Sequence, residues 1–167
     1  MDRVLSPSQT CGPLYGFALM FEGAEHAVDP GSPDALRIEG VVWDGAGDPV
    51  AYPECFVEVW QGEQWTRART DDEGMYRVVV RRPDPAAGPN GEAQAPHLNV
   101  TVFARGLLKQ AQTRMYFPDE EAANAQDPVL RMVPPGDRHT LIAQDQGGLL
   151  RFDVHLQGED ETVFFDF

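Results

Sequence analysis

The chain has 167 residues, 42% of them hydrophobic, and its 13 lysines and arginines against 27 aspartates and glutamates leave a formal net charge of −14. That length suits one domain with one sizeable core, the hydrophobic content excludes a disordered chain, and the charge repels phosphate backbones and anionic lipid surfaces, so neither nucleic acid nor membrane is expected as a partner. No apolar run approaches the roughly 20 residues of a bilayer span, and "MDRVLSPSQTCGPLYG" at the start lacks the apolar segment of a signal peptide, so a cytoplasmic location is expected.

Sixteen glycines and 14 prolines punctuate the chain at short intervals, with no tandem repeat or low-complexity linker, and this spacing of turn signals predicts an all-β, single-domain sandwich. In chain order, strands are expected at 36–42, 55–61, 75–80, 97–103, 113–117, 149–157 and 162–167. Between them lie the turn-rich stretches "DGAGDPV", "TDDEG", "PDPAAGPNGEAQAP" and "QGED". Two short helices are expected at the sandwich edge, "DEEAANA" from Asp119 and "GDRHTLIA" from Gly136, because each opens with acids or turn residues and continues with good helix formers.

Alternation sorts the faces of these strands. In 149–157, Leu150, Phe152, Val154 and Leu156 form the core face, and Arg151, Asp153, His155 and Gln157 the other. In 97–103, Leu98, Val100 and Val102 face the core, which leaves His97, Asn99 and Thr101 on a polar face that either meets water or lines a site; solvation is the default for such a face. Two histidines at i and i+2 of a strand would point the same way and could grip one ion, but here the second is an asparagine. Cys11 and Cys55 are too few for a disulfide framework and lack the basic neighbours of a reactive thiol, so both are expected to be passive.

Several stretches, taken in order, resemble the intradiol ring-cleavage dioxygenases: "PSQTCGPLYGFAL", "IEGVVWDGAGDPV" with "VEVWQ", "RTDDEGMYR", "APHLNVTVFARGLL", "TRMYFPDEEAANAQDPVL", "TLIA" and the terminal "RFDVHLQGEDETVFFDF". They cover most of the chain, and the β-sandwich core they imply agrees with the strand pattern. The resemblance also implies Fe(III), which family members hold with two tyrosinates and two histidines spaced His-x-His on the strand matching "HLN". His97 matches the first histidine and Asn99 replaces the second. The segment "RRPDPAAGPNGEAQAP" before that strand has no tyrosine, and neither does "WQGEQWTRART", where the loop after Gln61 is shortened. Tyr76 and Tyr116 fall in strand patterns where an aromatic packs, and Tyr15 and Tyr52 lie in turn-rich segments remote from His97. A lone imidazole beside a neutral amide cannot neutralise Fe(III), so His97 is expected to be structural and no metal ligand or catalytic residue is expected in this chain. His26, His139 and His155 are expected to be solvated or locally hydrogen-bonded.

In the family's heteromeric members a chain of this kind, the α subunit, pairs with an iron-carrying β subunit, and the active site lies where the two meet. The resemblance therefore implies Fe(III) bound by the partner, and protocatechuate (3,4-dihydroxybenzoate) and O2 as substrates. Thr10 and Gly12 of "TCG" and Arg105 of "FARGLL" are then the expected substrate contacts, Arg105 pairing bidentately with the benzoate carboxylate; apart from the resemblance it reads as a surface arginine in a salt bridge. Residues 1–35 are expected to form an N-terminal interface segment before a sandwich core of 36–167, and the apolar ending "TVFFDF" to be buried, partly against a partner. Two rival readings are a non-catalytic module that binds carbohydrate or protein through a platform of Trp43, Trp60 and Trp65, and a self-sufficient intradiol enzyme with rearranged ligands, which the missing tyrosines disfavour.

Overall fold

The computed structural model describes residues 9–10, 12–88 and 91–166; Cys11 lies outside them. In chain order the elements are α1 (Pro13–Leu19), β1 (Ala35–Trp43), β2 (Cys55–Gln61), β3 (Gln64–Arg69), β4 (Met75–Arg81), β5 (Ala86–Ala87), β6 (Ala93–Gln94), β7 (His97–Ala104), β8 (Ala111–Tyr116), α2 (Glu121–Asn124), α3 (Pro128–Met132), a 3-10 turn (Arg138–Leu141), β9 (Gln144–Asp145), β10 (Leu149–Arg151) and β11 (Val154–His155).

The expected sandwich forms from two sheets. In the first, β1 runs antiparallel to β4 on one side and parallel to β10 and then β11 on the other, with β9 paired to β10. The second is the antiparallel series β3-β2-β7-β8. The core is what alternation predicts: Ile38, Val42, Val78 and Val80 from the first sheet meet Val57, Val59, Leu98, Val100 and Val102 from the second. Each such side chain taken from water contributes about 1.5–3 kcal/mol. A smaller cluster of Ala95, Tyr116, Leu130, Val133 and Leu141 lies under α3 and the 3-10 turn.

Predicted strand 149–157 is interrupted, and the reason is a close approach between strands. At Phe152 the chain leaves β1: its N–H donates to the Glu39 carbonyl (2.8 Å), its own carbonyl accepts the Tyr76 hydroxyl (2.7 Å), and the Val41 N–H is taken by Asp153 Oδ1 (2.7 Å). Pairing with β1 resumes at Val154. Gly40 makes this possible, since a Cβ there would stand 1.7 Å from the Phe152 oxygen and 2.9 Å from the Tyr76 ring.

Three other expectations are corrected. Residues 162–166 form no strand, because their polar groups bond to scattered partners: Thr162 N–H to the His155 carbonyl, Val163 N–H to Thr140 Oγ1, and Phe165 N–H to the Gln112 carbonyl. Instead Phe164 packs on the main core, and Val163 and Phe165 on the smaller one. The stretch after Gln61, read as a loop, is β3, folded back by a two-residue turn in which Gly62 has φ +60° and Gln61 pairs with Gln64. Helices α1 and α3 were not expected; α3 is started by Asp127, whose side chain accepts the Val129 and Leu130 N–H groups, with Pro128 in its first turn.

Gly40→Ala is expected to destabilise the fold by about 3 kcal/mol or more, since the new methyl must part β1 from Phe152 and break the Tyr76 hydrogen bond. A lowered urea midpoint at unchanged slope is the readout; a midpoint equal to wild type would refute the close approach.

Candidate functional site

The outward face of β2-β3-β7-β8 carries the polar residues singled out in the sequence. Register sets His97 opposite Tyr116, Asn99 between Trp60 and Arg114, and Phe103 opposite Phe56. Contrary to the solvated face expected, His97, Thr101 and Arg114 are buried. The β5-β6 hairpin, formed within a stretch read as loop, walls this end of the face and closes a cavity of about 630 Å³ lined by Trp60, Gln61, Gln94, His97, Asn99 and Arg114 among others.

Inside the cavity the polar groups are ordered in series. The Ala95 carbonyl can only accept, so the proton of His97 sits on Nδ1 and donates to it (2.8 Å). Nε2 then accepts from Gln61 Nε2 (3.4 Å), whose Oε1 accepts from Asn99 Nδ2 (3.1 Å). Burial lowers the His97 pKa, and the nearby Arg114 lowers it further, against opposing effects of the Ala95 hydrogen bond and of Asp127. The ring is therefore held neutral. Beside it, Tyr116 gives its hydroxyl proton to Asp127 Oδ1 (3.1 Å), and burial pushes its phenol well above the ordinary range. This donor set does not suit Fe(III): the lining offers one imidazole already engaged at both nitrogens, neutral amides and a cation, and among the described residues no cluster of three His, Cys, Asp or Glu could hold an ion.

The other end of β7 carries the second group of expected residues. Arg105 follows the strand, its N–H bonded to the Glu54 carbonyl (2.9 Å) and its guanidinium paired with Glu54 Oε1 (3.2 Å), with the side chain 68% exposed. At Gly106 φ reaches +91°, and its N–H donates to Thr10 Oγ1 (2.8 Å). Gly12 starts α1, its carbonyl accepting the Tyr15 and Gly16 N–H groups. Thr10 and Arg105 thus meet at one rim, beside a cleft of about 320 Å³ lined by Thr10, Tyr15, Phe103, Leu107 and Leu108 among others. His97 lies eight residues back along the same strand, about 26 Å away at the rise of an extended chain. The two groups are separate places.

Glu54, Gln61, Arg114 and Asp127 escaped the sequence reading. Only Asp127 left a local signal there, as a capping residue before Pro128. The three tryptophans form no common platform: Trp43 stacks on His155 in the first sheet, while Trp60 and Trp65 are cross-strand partners in the second, Trp60 lining the cavity and Trp65 stacked with Phe21. His139 bonds to the Gly136 carbonyl (2.7 Å).

No protein-family model matches the sequence. The chain is similar to the protocatechuate 3,4-dioxygenase alpha chain of Pseudomonas putida, with 35% identity over 195 aligned positions that cover 97% of this chain and 96% of that one. It is likewise similar to the protocatechuate 3,4-dioxygenase alpha chain of Burkholderia cepacia, 36% identical over 198 positions with 96% of each covered. Both alignments exceed this chain's 167 residues, so these relatives carry insertions it lacks. Among solved structures, the dioxygenase domain of a dioxygenase carbohydrate-binding protein fusion from Streptomyces sp. SirexAA-E superposes with a TM-score of 0.58 at 18% identity, covering 83% of this chain and 88% of that one, a likeness of fold.

The buried, neutral His97 makes stability depend on pH in a defined direction. Its folded pKa lies below the unfolded value of 6.5, so its stabilising contribution is complete above 6.5 and is lost as pH falls toward the folded pKa, where the unfolded chain takes up a proton and the folded chain does not. Denaturation between pH 7 and 5 is expected to show this fall in the wild type and a flatter profile in His97→Gln; parallel profiles would show that His97 titrates alike in both states.

Proposed function

Because the chain belongs to the family of protocatechuate 3,4-dioxygenase α chains, we propose that it is the α subunit of an intradiol dioxygenase and forms one wall of a substrate pocket shared with an iron-binding β subunit. The assembled enzyme cleaves protocatechuate between its two hydroxyl-bearing carbons. Both atoms of O2 enter the product, 3-carboxy-cis,cis-muconate, and no external reductant is consumed. Fe(III), implied by the family, sits on the β subunit in this reading, and this chain's part is to bind and orient. A cytoplasmic location fits the same reading; no helix among the described residues is long and apolar enough to cross a membrane.

The observation that carries the proposal is the junction of Thr10 with the Arg105–Gly106 turn. Residues 96 positions apart, Thr10 and Gly106, are joined there by a 2.8 Å hydrogen bond, so the N-terminal segment and the end of β7 present Thr10, Gly12 and Arg105 as one rim. Arg105 already holds a carboxylate, that of Glu54, and a benzoate carboxylate would take the same fork in a cleft closed by the partner. Leu14, Phe17 and Phe21 of the N-terminal segment, and Leu108 at the cleft, expose large apolar side chains, which supports residues 1–35 as the partner-facing segment.

In the assembled enzyme, Arg105→Ala is expected to raise KM for protocatechuate about ten- to hundredfold, the loss of one charge-assisted pair, with iron content intact and little change on catechol, which has no carboxylate. Lysine should restore only part of the loss. An equal loss on both substrates would make Arg105 structural.

Purified alone, the chain is expected to hold no stoichiometric iron and to cleave no ring, activity appearing when the β subunit is added. One tightly held iron per chain, with the colour of tyrosinate-to-iron charge transfer, would overturn the proposal.

A further inference from the structure

We propose that Arg67, on β3, is a positioning residue for the substrate rim: it fixes the C-terminal end of α1 on the second sheet and so sets where Thr10 and Gly12, at the other end of that helix, stand beside Arg105. This rests on the reading of Thr10, Gly12 and Arg105 as the substrate contacts, and goes beyond it by naming what holds them in register.

The helix cannot hold its own place. α1 has seven residues, fewer than the roughly 12–15 at which an isolated helix becomes even marginal in water, and its last turn contains no basic residue. Apolar burial does not hold it either. Leu14, Phe17 and Phe21 keep more than half of their surface exposed, and the ring contacts of the segment, Tyr15 with Phe56, Phe17 with Tyr52 and Phe21 with Trp65, leave those side chains largely in water. The ties that remain are polar, and they come from the sheet.

Arg67 stands opposite Glu58 in the β2-β3 pair, and both side chains are only 17% exposed. One edge of its fork, Nε and Nη2, donates to Glu58 Oε1 (2.8 and 2.5 Å), and the guanidinium lies 4.7 Å from the Trp65 ring centre and 5.7 Å from that of Phe56. The cation is thus fixed on the sheet, and its other edge goes to the helix: Nη1 donates to the carbonyl of Leu19, the last residue of α1 (2.8 Å). The main-chain N–H of Arg67 holds the following stretch through the Ala24 carbonyl (2.7 Å). At mid-helix the backbones touch, since a Cβ on Gly16 would stand 2.6 Å from the Pro53 carbonyl oxygen. At its start the Gly12 carbonyl accepts the Tyr15 and Gly16 N–H groups, and Thr10, two residues further, bonds to Gly106. Seven residues of helix span about 10 Å, so Arg67 acts on the rim through the helix and not by touching it.

The test compares Arg67→Met, which keeps the stem over Trp65 and removes the fork, with Gly16→Ala, which pushes the helix off Pro53 and leaves Arg67 in place. In the full chain alone, hydrogen exchange of the 17–19 amides is expected to quicken about tenfold or more in Arg67→Met relative to the amides of β7, and in the same sense in Gly16→Ala. Assembled with the β subunit, both variants should raise KM for protocatechuate about three- to tenfold with kcat within about twofold, because the iron-bearing side is untouched. Arg67→Lys should recover part of each effect, since a point charge cannot serve both edges of the fork. Arg105→Ala should raise KM with the exchange of 17–19 unchanged, which tests the rim separately. Exchange of 17–19 that keeps its wild-type ratio to β7 in Arg67→Met would overturn the proposal, as would faster exchange with an unchanged KM in an enzyme where Arg105→Ala does raise it. If Arg105→Ala leaves KM unchanged, the reading of the rim falls and this proposal with it. Where Arg67→Met fails to fold, Arg67→Lys and Gly16→Ala decide by the same two readouts.

Discussion

A single carboxylate, Asp127, ties together the parts that shape the polar face of the second sheet. Fully buried, it caps α3 through two N–H groups, takes the Tyr116 hydroxyl from the end of β8, and takes the Ala95 N–H just ahead of β7. The carbonyl of that same Ala95 then accepts from His97 and fixes its tautomer. A buried charge is tolerated when its lone pairs are filled, and here four donors from three segments fill them. Remove the carboxylate and the helix start, the tyrosine and the strand entry lose their common anchor at once. The orientation of His97 and Tyr116, and through them of Gln61 and Arg114, descends from this point.

β7 then acts as a rigid spacer between two chemistries. Its inward residues, Leu98, Val100 and Val102, lock it into the core, while its two ends project different equipment: a neutral histidine and amides at one, an arginine on a glycine turn at the other. A strand held by a neighbour on each side cannot slide without moving every side chain to the wrong face. The separation between the two ends is therefore as well determined as the core itself.

How much of this was legible in the sequence depended on the range of the cause. β2 was readable residue for residue, and β1, β4 and β7 nearly so, because their alternation is set by a core that any sandwich must have. β3 was not, because its sequence "QWTRAR" exposes charge on one face and its pairing is dictated by a turn at Gly62 that forces the chain back. The ending "TVFFDF" has the composition of a strand, yet its hydrogen bonds are drawn to three different elements, which no local pattern encodes. The His97–Asn99 spacing was visible, and so was the absence of tyrosines from the segment before that strand and from the stretch after Gln61, but not that Tyr116 stands opposite His97. What could not be seen was the company those residues keep: Gln61 across a strand pair, Arg114 on the next strand, and a hairpin over the top, all long-range consequences of the topology. The union of Thr10 with the Arg105 turn spans most of the chain and came into view in the sequence only through resemblance.

The two-residue turn at Gly62–Glu63 also decides how this protein could be altered. It stands beside Gln61, in direct contact with His97, while its own backbone is open enough that a Cβ on Gly62 would meet nothing within 4 Å. Lengthening a surface loop costs little, about 0.6 kcal/mol for each doubling. The turn is therefore a natural insertion point: a longer segment grafted there could bring new side chains, including oxygen donors, over the imidazole without disturbing a core residue. The fold keeps an inexpensive door beside its cavity, through which a lining that offers one engaged imidazole could be given further donors.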